Sequence, residues 1–559
     1  MKYRKYITGS LGVVILGLAV FAEQIGLDND PGWGRGRILM LEIGGVLVAI
    51  NAIAIIFRNG FTNISALISK IFERFDAVDY SIRLNIFSFL AIIVVSAVYI
   101  WSFLPFANSN PTTNNYSQLA IAFKDHQLFL HEKPPPALLA LSDPYDWGAR
   151  YSIRRSFTMD VSLYKGRFYL YWGPVPSLLL MMFSNERLQV LGDQYVFLVF
   201  LYGLFLYSFL LIRSSWEKFN QALPAWMIGV ALLAIGISGP IAQLLNLSSI
   251  YEAAVVGCQL FFIGGCYWAY SAIRITPMSS WKIAIASLHW ALAIGTRITI
   301  LPAILFLSFT VLFHVWKENK LYHPGKLILN LSAIVFPLLI LMVGLGWYNY
   351  ARFGSVSEFG IRYQLAQVDY HKFTKVFSPD YLSGNFQNYF LKPFKTQPKF
   401  PFLRAIETVS SNERITGLLY TTPFFLITLI PLGRTLYSRT FLQTISVAAR
   451  NGLPAENWLV LGLASSSLIL LSIILLYYYP AVRFTEEFLP AMMLLATISL
   501  GRGYEIFKER AAFRQSYLFF VVVLVIFSIT VSILSTVPLP RTNDALLFIK
   551  QVWQFIGLR

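Results

Sequence analysis

Residues 283–316 read IAIASLHWALAIGTRITILPAILFLSFTVLFHVW, an apolar run of 34 residues whose one Lys, Arg, Asp or Glu is Arg297. A helix crosses the ~30 Å of membrane hydrocarbon with about 20 residues, so one span does not need this length. We therefore divide the run at Gly295-Thr296-Arg297 and predict two spans, 283–296 and 298–316, joined by a hairpin. This division decides the side of the membrane on which every later segment lies.

The whole chain has the composition of a polytopic membrane protein. Of its 559 residues, 56% are hydrophobic and 13% charged, and the mean hydropathy is +0.59; soluble domains carry about 25% charged residues. This composition excludes a soluble enzyme, a secreted disulfide scaffold and a DNA-binding protein. It predicts an all-α polytopic membrane fold. The 13 apolar segments predicted to span the membrane are 7–22, 38–57, 84–106, 190–213, 223–242, 251–273, 283–296, 298–316, 327–348, 415–436, 458–479, 488–501 and 517–536.

The distribution of Lys and Arg predicts the orientation. The net charge of +17 fits the enrichment of basic residues in cytoplasmic loops. With the N-terminus inside and the run divided, the basic segments 317–326 and 502–516 face the cytoplasm. Most outer basic residues lie in two long segments, 107–189 and 349–414, and segments of that length cross regardless of charge. We expect a multi-pass protein of the inner (plasma) membrane with a cytoplasmic N-terminus, an uncleaved first span and an extracytoplasmic C-terminus.

Four segments are predicted along the chain. Residues 1–83 form an N-terminal two-helix membrane segment, and residues 84–348 form a membrane core that includes the outer loop 107–189. Residues 349–414 form a second extracytoplasmic loop. Residues 415–559 form the C-terminal transmembrane helices and a short outer tail.

Conspicuous polar residues cluster at the predicted outer ends of spans. Glu252 opens the sixth span, Arg297 lies in the hairpin, Tyr348-Asn349 and Arg352 end the ninth, and Arg483 precedes the twelfth. Each arginine alone could be a snorkelling interfacial anchor. Together they predict an outward-facing cavity for an anionic ligand, because the guanidinium fork matches phosphate oxygens.

The candidate catalytic carboxylates lie in the first long segment, 107–189. Asp160 stands in the stretch 159–176, MDVSLYKGRFYLYWGPVP, which is rich in aromatic and turn residues. We expect Asp160 to take a proton from an acceptor hydroxyl as a general base, and Tyr169, Tyr171 and Trp172 to stack against substrate. The alternative is a solvated or turn-capping aspartate, which suits Asp143, in Ser142-Asp143-Pro144, better.

Signatures of soluble enzymes are missing from the sequence, which has no Walker loop, no GxGxxG after a strand, no HExxH and no GxSxG. No cofactor is specified. A divalent metal would have to be held by carboxylates, and no spacing assigns one. Predicted span centres are almost free of ionisable residues, which counts against an ion-coupled transporter.

Several stretches resemble the GT-C superfamily of membrane glycosyltransferases, and within it bacterial multi-pass proteins of the dolichyl-phosphate-mannose-protein mannosyltransferase-like branch. The resembling stretches are 30–37, 134–138, 143–146, 160–176, 347–354, 359–364, and 483–484 leading to Pro490. The resemblance implies a GT-C-like bundle of about 13 transmembrane helices with two long extracytoplasmic loops.

The resemblance also implies a function: transfer of a sugar from a polyprenyl-phosphate donor to a glycan, lipid or protein acceptor, with membrane lipid but no nucleic acid as partner. Arg297, Arg352 and Arg483 would bind the donor phosphate, and Glu252, Tyr348, Asn349 and Tyr363 would line the substrate site with the aromatic residues named above. Many of these enzymes place an acidic pair where this chain has Asn114-Asn115. Either the base is then Asp160 or Asp143, or catalysis is lost. A flippase or transporter of lipid-linked saccharide and a non-catalytic GT-C-like protein are the alternatives.

Overall fold

The structure is a computed structural model that describes residues 7–20, 22, 37, 40–45, 78–107, 113–158, 160–247, 249–321, 324–398, 402–408, 413–430, 454–507 and 509–534. The chain divides into two compact units, residues 1–85 and 86–559. The described part of the first unit contains helix α1, Ile7–Val20. The Arg37 Nε donates to the carbonyl of Ala19 at 3.2 Å, within that unit.

Long helices make up most of the described chain. After α1, we label them α2 (Tyr80–Ala107), α3 (Asn115–Lys124), α4 (Asp193–Phe219), α5 (Met227–Ile237), α6 (Ile241–Leu247), α7 (Ile250–Ile273), α8 (Ser280–Thr296), α9 (Leu301–Leu321), α10 (Leu327–Phe353), α11 (Ala455–Leu476), α12 (Leu489–Ile506) and α13 (Ala511–Leu534). Shorter helical turns are Pro136–Leu139, Trp147–Arg150, Val175–Leu180, Asn185–Val190, Leu382–Phe386 and Leu418–Thr421.

Seven helices of the described residues are long and apolar enough to cross a membrane: α2, α4, α7, the segment Ile298–Lys317 that contains most of α9, α10, α11 and α13. The fold is therefore an all-α polytopic membrane fold, as the composition predicts. Helices α8 and α12 coincide with two further predicted spans and are shorter, with 17 and 18 residues. Most of the predicted span 38–57 lies outside the described residues.

The predicted division of the run 283–316 is confirmed. Arg297 has an extended backbone (φ −152°, ψ 117°) and ends α8, and a 3-10 turn, Ile298–Ile300, leads into α9. An extended residue interrupts the i→i−4 hydrogen bonds of a helix. One tilted helix through this run is thus excluded.

Two predicted spans are wrong as single helices. In 223–242, helix α5 ends at Ile237, Gly239 adopts a left-handed φ of +78° and Pro240 follows it, so α6 begins as a separate helix. Glycine accepts positive φ without steric penalty. Pro240 has no backbone N–H to donate to a continuing helix. In the described part of 415–436, Ile415 lies in a strand and Pro423 starts a 3-10 segment, Pro423–Thr428.

Helix α7 is the centre of the second unit and packs against α4 and α8. Glycines permit this close packing. A Cβ at Gly257 would lie 2.5 Å from the ring of Phe200 on α4, and one at Gly265 would lie 2.3 Å from the ring of Trp290 on α8. Small residues at helix contacts let backbones approach and increase van der Waals packing.

The strands of the described chain lie in the segments 107–189 and 349–414, the last one extending to Ile415; we call them the first and second outer segments after their predicted side. Strand β1 (Ser162–Tyr164) pairs with β2 (Arg167–Tyr169) as a hairpin whose register joins Ser162 to Tyr169. In the second segment, β3 (Lys395–Thr396) pairs with β4 (Leu403–Arg404), and β5 (Ile406–Glu407) with β6 (Arg414–Ile415). The hairpin β1–β2 follows Asp160 directly and fixes the start of the predicted catalytic stretch.

Candidate functional site

A cavity of about 690 Å³ lies where several helix ends meet. Tyr251 from the start of α7, Arg297 from the end of α8 and Arg352 from the end of α10 line it together with Arg483, which precedes α12. Asp160 from the first outer segment also lines it. The structure thus brings to one cavity the predicted base and the three predicted phosphate-binding arginines, which are spread over more than 300 residues of sequence.

Asp160 is held in an unusual backbone conformation. Its φ is +58°, a left-handed value that non-glycine residues adopt rarely and that costs about 1 kcal/mol or more. The hydroxyl of Tyr251 donates to its Oδ2, and the Gln364 side chain is a second hydrogen-bond partner. Burial raises the pKa of Asp160 above its usual value, although Tyr251 and the positive charges of Arg483 and Arg150 oppose that rise. A carboxylate with a raised pKa is a stronger proton acceptor once ionised.

Arg352 is a buried cation fixed by backbone and amide oxygens. Its Nη1 donates to the carbonyl of Leu170 at 2.6 Å, its Nη2 to Oδ1 of Asn349 at 2.8 Å, and its Nε to the carbonyl of Tyr348 at 3.3 Å. The guanidinium lies 3.7 Å from the centre of the Tyr348 ring. Among the described residues no carboxylate forms an ion pair with Arg352, and the charge of Glu358 acts on it only at longer range.

The other two arginines are paired with carboxylates. Arg297 Nε lies 2.6 Å from Oε1 of Glu487, whose side chain is 3% exposed, and Thr299 donates to the other oxygen of that carboxylate at 3.0 Å. Arg483 Nη1 lies 3.2 Å from Oε1 of Glu413. Both arginines line the cavity, but each already has compensating negative charge, to which the buried carboxylate of Glu252 adds in the case of Arg483.

Aromatic side chains provide much of the remaining lining. The rings of Tyr171 and Trp172 stack with centroids 3.9 Å apart, and Trp172 meets Tyr251 edge to face at 5.2 Å. Further tyrosines come from 370 and from 477–479. Such rings offer flat apolar faces with hydroxyl groups at their edges, a surface suited to a ligand that is partly apolar and partly polar.

The second outer segment closes one side of the cavity. It is joined to the first outer segment by the Leu365 N–H, which donates to the carbonyl of Val161 at 2.9 Å. It is joined to the end of α11 by the Tyr478 N–H, which donates to the carbonyl of Val376 at 3.1 Å. Residues from Phe359 to Phe377 therefore line the cavity on this side.

The structure does not bring Asp143 to the cavity. Its Oδ2 lies 2.7 Å from Nζ of Lys372, and its Oδ1 accepts from the N–H of Tyr145 at 2.9 Å. Lys372 and Tyr145 hold the pKa of Asp143 below its usual value. This is the arrangement expected of a turn-capping aspartate at the surface.

Three predicted lining residues also lie off the cavity. Glu252 is buried and accepts from the N–H of Ser249 at 3.1 Å, so it caps the first turn of α7. Tyr169 is buried behind the lining, with its ring 5.3 Å from that of Phe353. Tyr363 packs against the ring of Tyr164 at 4.5 Å. Tyr171, Trp172, Tyr348 and Asn349 do line the cavity.

Asn114 and Asn115 lie at the N-terminus of α3 and not in the cavity lining. The backbone N–H groups of Asn115 and Tyr116 donate to the buried carboxylate of Asp193 at 2.9 and 3.2 Å. Here an aspartate from α4 supplies negative charge to the free amides of a helix start. The two asparagines therefore form the start of a helix in this structure.

Sequence reasoning missed the polar residues that contact the predicted ones, among them Tyr251, Gln364, Glu413 and Glu487, and the tyrosines 370 and 477–479 of the lining. Glu487 had a visible signal, because Glu486-Glu487 is an acidic pair at the edge of the predicted span 488–501 and such residues are usually paired or functional. Within the described residues, no three His, Cys, Asp or Glu side chains cluster closely enough to hold a metal ion.

In sequence, the chain matches neither a protein-family profile nor a curated protein. Among solved structures it is similar to the archaeal oligosaccharyltransferase AglB from Archaeoglobus fulgidus, solved in complex with an inhibitory peptide and a dolichol-phosphate, at 12% identity and a TM-score of 0.39. The match covers 84% of this chain and spans 59% of the length of that one. This likeness is too weak to carry a function, which has to be inferred from the cavity itself.

Proposed function

We propose that the protein is an integral-membrane glycosyltransferase that moves a sugar from a polyprenyl-phosphate donor to an acceptor hydroxyl. The observation that carries this proposal is the meeting of Asp160 with Arg297, Arg352 and Arg483 in one cavity of about 690 Å³. Ligand cavities of several hundred Å³ hold molecules of this size. The resemblance of the sequence to the mannosyltransferase-like GT-C branch belongs to the same proposal.

The reaction needs a base and a stabilised leaving group, and the cavity offers both. Asp160 takes the proton of the acceptor hydroxyl while that oxygen forms a bond to the anomeric carbon. The bond between the anomeric carbon and the phosphate oxygen breaks, and the electron pair leaves with the polyprenyl phosphate. The arginines stabilise the negative charge that develops on this phosphate.

The charge balance favours a monophosphate over a diphosphate donor. A sugar joined to a polyprenyl monophosphate carries one negative charge, and among the described residues that line the cavity Arg352 is the arginine that forms no ion pair with a carboxylate. As the sugar leaves, the phosphate gains a second negative charge. Arg297 and Arg483 are held nearby for that later charge, and an interaction that strengthens in the transition state raises the rate.

The lining also suits the two ends of such a donor. Ile294, Leu345 and Ile473 come from α8, α10 and α11 and give the cavity apolar surface for the first prenyl units. The stacked pair Tyr171 and Trp172 faces the same space and offers a platform for a sugar ring. Under this proposal the cavity opens on the extracytoplasmic side of the plasma membrane, as the distribution of Lys and Arg predicts.

Transfer by an Asp160→Asn variant tests the proposal. Purified protein in lipid nanodiscs is supplied with polyprenyl-phosphate sugars, and released polyprenyl phosphate is measured together with binding of polyprenyl phosphate alone. We expect Asp160→Asn to lose at least about 100-fold in transfer, the scale of general-base catalysis, and to keep its binding. Asp143→Asn is the matched control and should transfer normally.

Two results would overturn the proposal. The first is unchanged transfer by Asp160→Asn. The second is wild-type protein that moves lipid-linked saccharide between leaflets without forming or breaking a glycosidic bond, which would identify a flippase. Loss of transfer in Asp143→Asn would instead move the base to that residue.

A further inference from the structure

A second, smaller cavity of about 30 Å³ lies between helices of the second unit. Glu486 lines it from the 3-10 segment Val482–Glu487, and the hydroxyl-bearing residues Tyr99 on α2, Ser208 on α4 and Ser238 after α5 line it from the neighbouring helices. Its other lining residues are apolar and come mainly from α4 and α12. Glu486 thus faces a different space from its neighbour Glu487, which pairs with Arg297.

The carboxyl group of Glu486 has no compensating charge in the described structure. Its side chain is 3% exposed, and its Oε1 is buried without a hydrogen-bond partner among the described residues, as is the hydroxyl of Ser238. None of the described residues that line this cavity is a Lys, Arg or His. A lone carboxylate in an apolar interior is strongly unfavourable unless a proton or a cation neutralises it.

We propose that this cavity is a binding site for one monovalent cation, with sodium as the ion that we would test. Two carboxylate oxygens of Glu486 and the hydroxyl oxygens of Tyr99, Ser208 and Ser238 are hard oxygen donors, which suit cations that take no soft ligands. One carboxylate balances one positive charge, so a divalent ion would leave a buried excess of charge. The volume is that of about one or two water-sized particles.

The proposed cation site shares one short segment of the chain with two charged residues of the large cavity. Val482–Glu487 contains Arg483, which lines the large cavity, and Glu487, which holds Arg297. An ion bound to Glu486 would hold this short segment in place from its other side. The proposal goes beyond the transfer reaction and does not depend on it.

Sodium binding to the full-length protein in detergent tests the proposal without any activity assay. Equilibrium binding of radioactive sodium and thermal unfolding in sodium chloride against choline chloride are measured at constant ionic strength and mildly alkaline pH. We expect one sodium bound per chain and a higher Tm in sodium. Glu486→Gln should weaken sodium binding by about 10-fold or more and lose the Tm response, whereas Glu505→Gln, at an exposed position on α12, should keep both.

Tyr99→Phe is a milder variant that keeps the ring and removes one hydroxyl, and we expect it to bind sodium several-fold more weakly. Of the residues that line the cavity, Glu486 and Tyr99 are the ones that ionise, so lowering the pH should weaken sodium binding by protonating Glu486. Absence of sodium binding by wild-type protein at every pH, with Glu486→Gln equally stable, would show a permanently protonated carboxyl and overturn the proposal. Unchanged sodium binding by Glu486→Gln would overturn it as well.

Discussion

Arg297 and Glu487 are separated by 190 residues in sequence and form an ion pair of 2.6 Å in the structure. The pair joins the end of α8 to the segment before α12, and Glu487 is almost completely buried. It has two consequences. It connects two parts of the cavity wall, and it leaves Arg297 less free to neutralise a bound anion than Arg352 is.

The first prediction concerns Glu487→Gln. Removing one partner of a buried ion pair costs about 3–5 kcal/mol because the other charge remains in the interior. We expect a lower free energy of unfolding by roughly this amount, measured by chemical or thermal unfolding in detergent. Glu505→Gln, at an exposed position, is the control and should change stability little.

The same variant should also change ligand preference. Glu487→Gln removes one negative charge and so makes the cavity more positive by one unit. The affinity for polyprenyl diphosphate should therefore rise relative to the affinity for polyprenyl monophosphate of the same chain length. Both affinities are measured by competition in nanodiscs. A variant that is destabilised but has an unchanged ratio of the two affinities would contradict the charge balance on which the monophosphate assignment rests.

The second prediction concerns Arg352→Lys. An ammonium group keeps the charge but cannot reach Leu170, Asn349 and a phosphate with the same fork of donors. Charge-assisted hydrogen bonds contribute about 1.5–3 kcal/mol, so we expect polyprenyl phosphate to bind about 10- to 100-fold more weakly. Arg362→Lys, at an exposed position in the second outer segment, should bind normally; equal binding by both variants would remove Arg352 from the phosphate site.

The third prediction uses the pH dependence of transfer. Asp160 acts as a base when ionised, so transfer should rise with pH through its pKa, which burial has raised above the usual value of about 3.9. The Tyr251 hydroxyl stabilises the ionised form by donating to it. Tyr251→Phe should therefore raise this pKa further and move the acid limb of the pH–rate profile upward by about one pH unit.

A second tyrosine gives the control for this profile. Tyr370 lines the same cavity, but its hydroxyl lies 2.8 Å from that of Tyr478 and not at Asp160. Tyr370→Phe should leave the acid limb where it is. A downward shift in Tyr251→Phe, or equal shifts in the two variants, would mean that Asp160 is not the group that titrates.

Much of the fold could be predicted from apolar run length and the distribution of Lys and Arg. These patterns predict the division at Arg297. They also predict that Arg297, Arg352 and Arg483 lie on the same side of the membrane, since both predictions follow from how many residues cross hydrocarbon. They failed at Gly239 in the segment 223–242, whose apolar composition hides a break that depends on one positive φ. They failed again at Pro423, which starts a 3-10 segment within an apolar run.

The partners of the site could not be predicted, because pairing depends on tertiary contacts that sequence spacing does not contain. Glu413 and Glu487 come from segments far from the arginines that they bind. Whether a polar residue at a span end lines a cavity or caps a helix is likewise a matter of rotation about the helix axis. Glu252 and its neighbour Tyr251 show this, since the carboxylate turns back to its own helix while the tyrosine ring enters the cavity.

The fourth prediction concerns Gly173, where the first outer segment meets the end of α8. A Cβ at Gly173 would lie 2.0 Å from the carbonyl oxygen of Gly295 and 2.7 Å from that of Thr296. Both contacts are with backbone, which cannot move aside as a flexible side chain can. Gly173→Ala must therefore push the stretch from Asp160 to Trp172 away from Arg297, and overpacking of this kind costs about 1–3 kcal/mol.

The expected results for Gly173→Ala are a lower Tm and a loss of transfer larger than the loss of polyprenyl phosphate binding, because base and phosphate site move apart. Gly384→Ala is the matched control, since a Cβ there meets no atom within 4 Å and alanine is a better helix former than glycine. Wild-type transfer by Gly173→Ala would show that the spacing between the first outer segment and α8 does not set the geometry of the reaction. Asp160 and Arg297 would then have to act independently of each other.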